Sequence, residues 1–174
     1  MNFTPTLFIN GKEVGFQTGY CMNSKINIRD ILGLLARLAV GGMFIYAGAI
    51  KLLAPAEEFA YAIETYKVTG AQLSLWAAYV LPWLELYSGL LLVCGIFTRF
   101  NALFCGGLLI FFEVLLAQAR LRGLPVTSCG CFGSGSSNSL EYEFFQNLIF
   151  LALAFAAFRY GRRFSADAAL EEHA

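Results

Sequence analysis

Four stretches of this chain are long and apolar enough that water is a poor solvent for them. They run over residues 31–53, 73–95, 100–119 and 144–160. A helix crossing a bilayer needs about 20 mostly apolar residues, so the first three qualify outright and the last lies at the short end of the range. Inside hydrocarbon every backbone N–H and C=O must be satisfied within its own helix. Four such segments joined by short turns therefore predict a compact helix bundle. Composition agrees, with 58% hydrophobic and 14% charged residues and a mean hydropathy of +0.63. An average soluble domain has about 45–50% apolar and about 25% charged residues. The expected fold is an all-α membrane protein, a four-transmembrane-helix bundle over residues 30–160. A polar N-terminal extension (1–29) precedes it and a polar tail (161–174) follows.

The charges narrow the function classes. Lys+Arg and Asp+Glu balance at 12 each, so there is no basic surplus to attract nucleic acid. The single histidine, His173, lies in the tail, which removes histidine general-base or metal chemistry from the bundle. Basic residues flank the spans unequally. Lys12, Lys25, Arg29, Arg99, Arg159, Arg162 and Arg163 fall on one side, and Lys51, Lys67, Arg120 and Arg122 on the other. The positive-inside rule then puts both termini in the cytoplasm of a multi-pass protein of the bacterial inner membrane. The loop before the fourth span faces the periplasm on this reading.

That loop, residues 123–143, carries Ser128-Cys129-Gly130-Cys131-Phe132-Gly133. Two cysteines one residue apart can bridge only with strain, because a disulfide wants a particular torsion and Cα separation. Gly130 between them is the residue best able to bend. Strained, exposed disulfides have higher reduction potentials and exchange readily, as catalytic or regulatory ones do. Attack requires a thiolate, which nearby Arg120 and Arg122 favour electrostatically. Three readings of Cys129 and Cys131 stay open at this point: a redox pair, a structural clip, and part of a metal site. The last lacks ligands, since two thiolates supply half of the usual four and no histidine lies on that side.

The remaining chemistry lies at membrane depth. Arg37 and Lys51 fall in the first span, Glu85 in the second and Glu113 in the third. Ionisable groups there are costly, face the bundle interior and pair with one another. Glu85 and Glu113 are candidates for a proton relay. The competing reading is a buried ion pair that fixes helix register, with Lys51 or Arg37 as partner of Glu85. Pro82 is expected to kink the second span. Residues 54–72 read as a connector in which Phe59, Ala60, Ile63, Tyr66 and Val68 mark a short amphipathic helix on the membrane surface. Trp76, Tyr79 and Trp83 suit the interfacial zone. Cys94 and Cys105 read as small buried hydrophobes, Cys21 as a bystander.

The extension lacks the basic start and apolar core of a signal peptide. Its Thr4–Val14 stretch has Asn10-Gly11 between apolar runs, a hairpin signal. It is similar to the Thr-Pro-strand-turn segment of thioredoxin-fold proteins, glutaredoxin-like ones especially. Such a segment is a relic, part of a longer fused protein, or a plain surface hairpin.

Three features occur together: Gly48-x-x-Lys51-Leu52, Leu81-Pro82-x-x-Glu85-Leu86 followed by Gly89, and Cys129-Gly130-Cys131-Phe132-Gly133. In combination they resemble the DoxX-like superfamily, and most closely its methylamine-utilisation MauE family, over residues 30–160. The resemblance implies a thiol–disulfide redox protein that assists maturation of a periplasmic methylamine dehydrogenase, whose small subunit is rich in disulfides. It implies a thioredoxin-like periplasmic partner and a membrane lipid environment. Gly130, Phe132 and Gly133 would shape the loop around the cysteines. Other DoxX and DoxD relatives are linked to thiosulfate:quinone oxidoreductase or to redox-homeostasis complexes, so quinone is a candidate cofactor, although no quinone site is visible in the sequence. The N-terminal extension departs from the family pattern and leaves the client open between methylamine dehydrogenase and another disulfide-containing protein. The alternatives are a non-catalytic membrane scaffold and a subunit of a quinone-linked oxidoreductase. If the chain is an enzyme, it is a thiol–disulfide oxidoreductase.

Overall fold

The computed structural model describes residues 6–9, 12–15, 27–124, 140–161 and 165–167. Cys21, Cys129, Gly130, Cys131, Phe132, Gly133 and His173 lie outside the described residues. In the extension, β1 (Thr6–Ile9) pairs antiparallel with β2 (Lys12–Gly15). The register sets Ile9 opposite Lys12 and leaves Asn10-Gly11 as the connecting dipeptide. Such dipeptides favour the tight turns whose twist matches paired strands.

Four long helices make the bundle: α1 (Ile28–Leu53), α3 (Ala71–Cys94), α4 (Thr98–Leu121) and α5 (Leu140–Tyr160). A short helix, α2 (Ala56–Thr65), sits between the first two. All four long helices are long and apolar enough to cross a membrane. They alternate in direction, so the start of α1 and the end of α5 share one end of the bundle. The connection from α4 to α5 and helix α2 share the other, called here the loop end. α1 packs most extensively on α3 and then on α5, α5 also packs on α4, and α3 meets α4 to close the ring. The core gathers Ala36, Val40, Phe44, Leu92, Cys105 and Leu109 with Ala154 and Ala157.

Glycines let α1 and α3 approach closely. A Cβ on Gly48 would lie 2.7 Å from the Pro82 carbonyl oxygen, and one on Gly89 2.8 Å from the Gly41 carbonyl oxygen. Lipid tails offer no hydrophobic drive for helices to associate, so this backbone proximity supplies the packing. α3 continues through Pro82, which is buried against α1.

Two helix starts and the setting of α2 differ from expectation, each for a physical reason. α4 starts at Thr98 and not at Phe100, because the Asp167 carboxylate accepts the Phe97 and Thr98 backbone N–H groups, each at 2.8 Å. A residue about seventy positions away thus satisfies amides that no local side chain could. α5 starts at Leu140 and not at Phe144; Glu141 and Glu143 lie in its first turn, where acids suit the positive end of the helix dipole. Glu143 is therefore buried helix and not solvated loop. The amphipathic helix α2 buries Phe59 and Ala60 against Ala78 and Leu81 of α3, so its apolar face meets protein and not lipid. Tyr61 on its other side is exposed, as are Trp76 and Trp83 on α3.

The glycine contacts give a stability prediction. Gly89→Val overpacks the α1–α3 seam and destabilises the bundle in detergent by about 1–3 kcal/mol, whereas Gly107→Ala, where a Cβ meets nothing within 4 Å, is neutral. Thermal unfolding followed by circular dichroism separates the two outcomes. Asp167→Ala, which uncaps α4, lowers stability by about 1 kcal/mol in the same assay.

Candidate functional site

A row of polar side chains runs through the apolar interior, from near the bundle middle to the loop end. Its deepest member is the pair sought from the sequence. Lys51 Nζ donates to Glu85 Oε2 at 2.7 Å, and the two side chains are 1% and 3% exposed. Lys51 stands in the last turn of α1, and the close α1–α3 packing at Gly48 brings its side chain to Glu85. The Lys51 ammonium also lies 5.3 Å from the centroid of the Phe59 ring of α2, in reach of a cation–π contact. One cation thereby ties α1, α2 and α3 together. Below the pair, Ser88 donates to the Glu85 carbonyl at 3.1 Å, and its hydroxyl lies beside the thiol of Cys105 on α4.

Toward the loop end the row continues on α5. Asn147 and Glu143, one turn apart, are both buried. Asn147 and Glu85 share the wall of a small cavity of about 20 Å³ enclosed by Phe44, Ala47, Leu109 and Phe112. Glu113 of α4 lies close to Asn147, yet both of its carboxylate oxygens and the Asn147 Nδ2 are buried without a hydrogen-bond partner among the described residues. At the mouth, Tyr66 is buried, accepts a hydrogen bond from Gln118 Nε2 on its carbonyl at 3.4 Å, and lies near Glu143. Burial pushes the Tyr66 phenol above its ordinary pKa, and the neighbouring Glu143 pushes it the same way.

Above the mouth the last turn of α4 and the first turn of α5 are bridged by Arg120 Nη2 and Glu141 Oε1 at 2.9 Å, both 65% exposed. Exposed pairs contribute about 0–1 kcal/mol. This pair spans the base of the connection that holds Cys129 and Cys131, and it occupies an arginine that the sequence offers as a thiolate neighbour. Beside it a groove of about 600 Å³ opens between Leu116, Ala117, Phe144 and Phe145.

Of the intramembrane residues expected to matter, Lys51 and Glu85 form one buried pair. Glu113 stands apart from that pair, beside Asn147. Arg37 is elsewhere, at the terminal end, where its Nη1 donates to the Gly161 carbonyl at 3.2 Å. It packs against the left-handed Gly95, whose φ is +75°. Cys105 is fully buried, but Cys94 is exposed and is not the packed hydrophobe expected. Among the described residues no three His, Cys, Asp or Glu side chains gather as metal ligands. Asn147, Glu143 and Asp167 do not stand out in the sequence, and Tyr66 does so only as an apolar-face residue of the connector helix. Asn147 and Glu143 leave a faint sign, two polar residues at helical spacing inside or at the edge of an apolar segment. Asp167 leaves none.

Residues 29–160 match the family model described as methylamine utilisation protein MauE. The chain belongs to the MauE family. A curated relative, methylamine utilization protein MauE of Methylorubrum extorquens, is 33% identical over 132 residues, covering 71% of this chain and 70% of its own length. No solved structure matches. The match takes in the loop residues Cys129 and Cys131 together with every helix of the bundle.

The pair predicts a non-additive mutant cycle. Glu85→Leu alone leaves a buried cation and destabilises by about 3–5 kcal/mol. Lys51→Met together with Glu85→Leu recovers most of that loss, because neither charge remains unpaired. Unfolding midpoints of the two single variants and the double variant in one detergent measure the coupling.

Proposed function

We propose that this chain is a membrane thiol–disulfide redox protein that assists disulfide formation in, or maturation of, a periplasmic client during methylamine utilisation. The observation that carries the reading is the family match over residues 29–160, which includes a Cys129-Gly130-Cys131 pair in the connection at the loop end. The relative bears methylamine utilization in its name. The client is methylamine dehydrogenase or another disulfide-containing protein, and the partner in exchange is thioredoxin-like. The protein sits in the bacterial inner membrane with both termini cytoplasmic and the cysteine loop periplasmic. The excess of basic residues on the terminal side supports that orientation.

In the exchange step a partner thiolate attacks one sulfur of a Cys129–Cys131 disulfide. The S–S bond breaks, the second cysteine leaves as thiolate, and a mixed disulfide forms. The partner's second thiolate then resolves it. The partner leaves oxidised by two electrons, and the loop is left as a dithiol. A one-residue spacing strains the loop disulfide and makes it the stronger oxidant of the two. Reoxidation of the dithiol needs a two-electron acceptor, for which a membrane quinone is the candidate. Gly130, Phe132 and Gly133 set the loop geometry. Lys51 and Glu85 hold α1 and α3 in register beneath it.

Serine substitution tests the proposal. Cys129→Ser and Cys131→Ser each remove the loop disulfide that the partner thiolate attacks, so both lose client maturation, whereas the wild-type loop with a partner whose second thiol is replaced by serine accumulates a mixed disulfide, seen as a band on non-reducing gels that reductant removes. Wild-type maturation in both variants would instead assign the chain to a non-catalytic scaffold.

A further inference from the structure

The cavity between Glu85 and Asn147 is small, but its walls are chemically mixed. Phe44, Ala47, Leu109 and Phe112 make most of its lining, and Glu85 and Asn147 are the polar residues among it. Its volume of about 20 Å³ exceeds the roughly 10–15 Å³ that one water molecule needs. Purely apolar cavities of this kind stay dry, whereas polar ones that offer two to four hydrogen-bond partners are hydrated. Asn147 is 3% exposed, and among the described residues its Nδ2 makes no hydrogen bond, although Glu113 lies close by. A buried amide donor left in that state is disfavoured by about 1–3 kcal/mol. The Glu85 carboxylate receives Lys51 on Oε2 and still has acceptor capacity, since a carboxylate offers about four lone-pair sites.

We infer that this cavity holds one ordered water molecule, which accepts a hydrogen bond from Asn147 Nδ2 and donates one to the Glu85 carboxylate, joining the Lys51–Glu85 pair to the loop end of the bundle. The rest of the connection is already in place. Glu143 lies one turn from Asn147 on the same buried face of α5, and Tyr66 lies beside Glu143 at the mouth. The charged and titratable groups facing this file come from every packed element: Lys51 of α1, Glu85 of α3, Glu113 of α4, Glu143 of α5 and Tyr66 after α2. Asn147 is the positioning residue, because it touches the water and neither charge of the pair. The inference stands on cavity geometry and does not depend on the redox reading of the cysteines.

The experiment is a high-resolution structure of the full chain in a lipid nanodisc, combined with hydrogen–deuterium exchange of the Lys51 ammonium. Its ¹⁵N signal is assigned by its disappearance in Lys51→Arg. The wild type shows solvent density within hydrogen-bond distance of both Asn147 and Glu85. Its Lys51 ammonium exchanges. Asn147→Leu, which keeps the side-chain shape and removes both polar atoms, loses the density. It also loses exchange over the time in which the wild type exchanges fully. Asn147→Ser retains both. An empty cavity in the wild-type map overturns the inference, and so does exchange in Asn147→Leu as fast as in the wild type. Should Asn147→Leu fail to fold, the wild-type map and Asn147→Ser decide alone.

Discussion

The contact between Lys51 and Glu85 is the interaction on which the architecture turns. Each charge is nearly inaccessible, in a segment whose surroundings are hydrocarbon. Either one alone at that depth would be strongly disfavoured. Together they are tolerable only in one register of α1 against α3, the register that sets Gly48 on Pro82 and Gly89 on Gly41. A pair of this kind adds little net stability, since desolvation offsets most of the attraction. Its effect is selective. A slip of one helical turn would leave two lone charges in the core, so competing registers are disfavoured far more than the native one is favoured.

Small residues and the ion pair act on the same interface by different means. The glycines bring the two backbones close enough for dispersion contacts to hold the helices, which in lipid is the main source of affinity between them. They would hold other registers almost as well. The pair supplies the discrimination the glycines lack. The Phe59 ring over Lys51 then extends the constraint to α2, placing that helix on α3 at the loop end.

Much of this was legible before any coordinates, and what was not follows a pattern. The spans come from hydropathy, because crossing a bilayer demands length and apolarity in one continuous segment. The pairing of Lys51 with Glu85 was one of two partnerships open to Glu85, since buried charges need a partner and Arg37 was the rival. Geometry decided it: Arg37 is near the other end of the bundle, on the Gly161 carbonyl. The start of α4 was misplaced because its cap, Asp167, is supplied from a remote tail that reads as merely polar. The start of α5 was misplaced because Glu141 and Glu143 look like loop residues unless the helix dipole is considered. Asn147, and the place of Tyr66 beside Glu143, escape the sequence for a different reason. A single amide or phenol among apolar neighbours is unremarkable until the fold sets it opposite a carboxylate.

The two ends of the bundle use their polar residues differently, and this bears on where change can occur. At the terminal end several side chains bond to backbone, and Arg37 and Asp167 also lie near one another. Arg37 reaches a carbonyl of Gly161, Asn101 one of Ile96, and Asp167 the amides of Phe97 and Thr98. Such bonds fix chain ends and have no second arrangement of similar energy, because a backbone group cannot rotate away without undoing its helix. From the middle to the loop end polar side chains face one another: Lys51 with Glu85, Asn147 with Glu113, Tyr66 with Glu143. Gln118, Ser88, Ser74 and Thr65 bond to backbone carbonyls there as well. The Lys51–Glu85 pair fixes register and is costly to break, whereas Glu113 and Asn147, buried and without hydrogen-bond partners among the described residues, are the groups in that half with bonding capacity still to use.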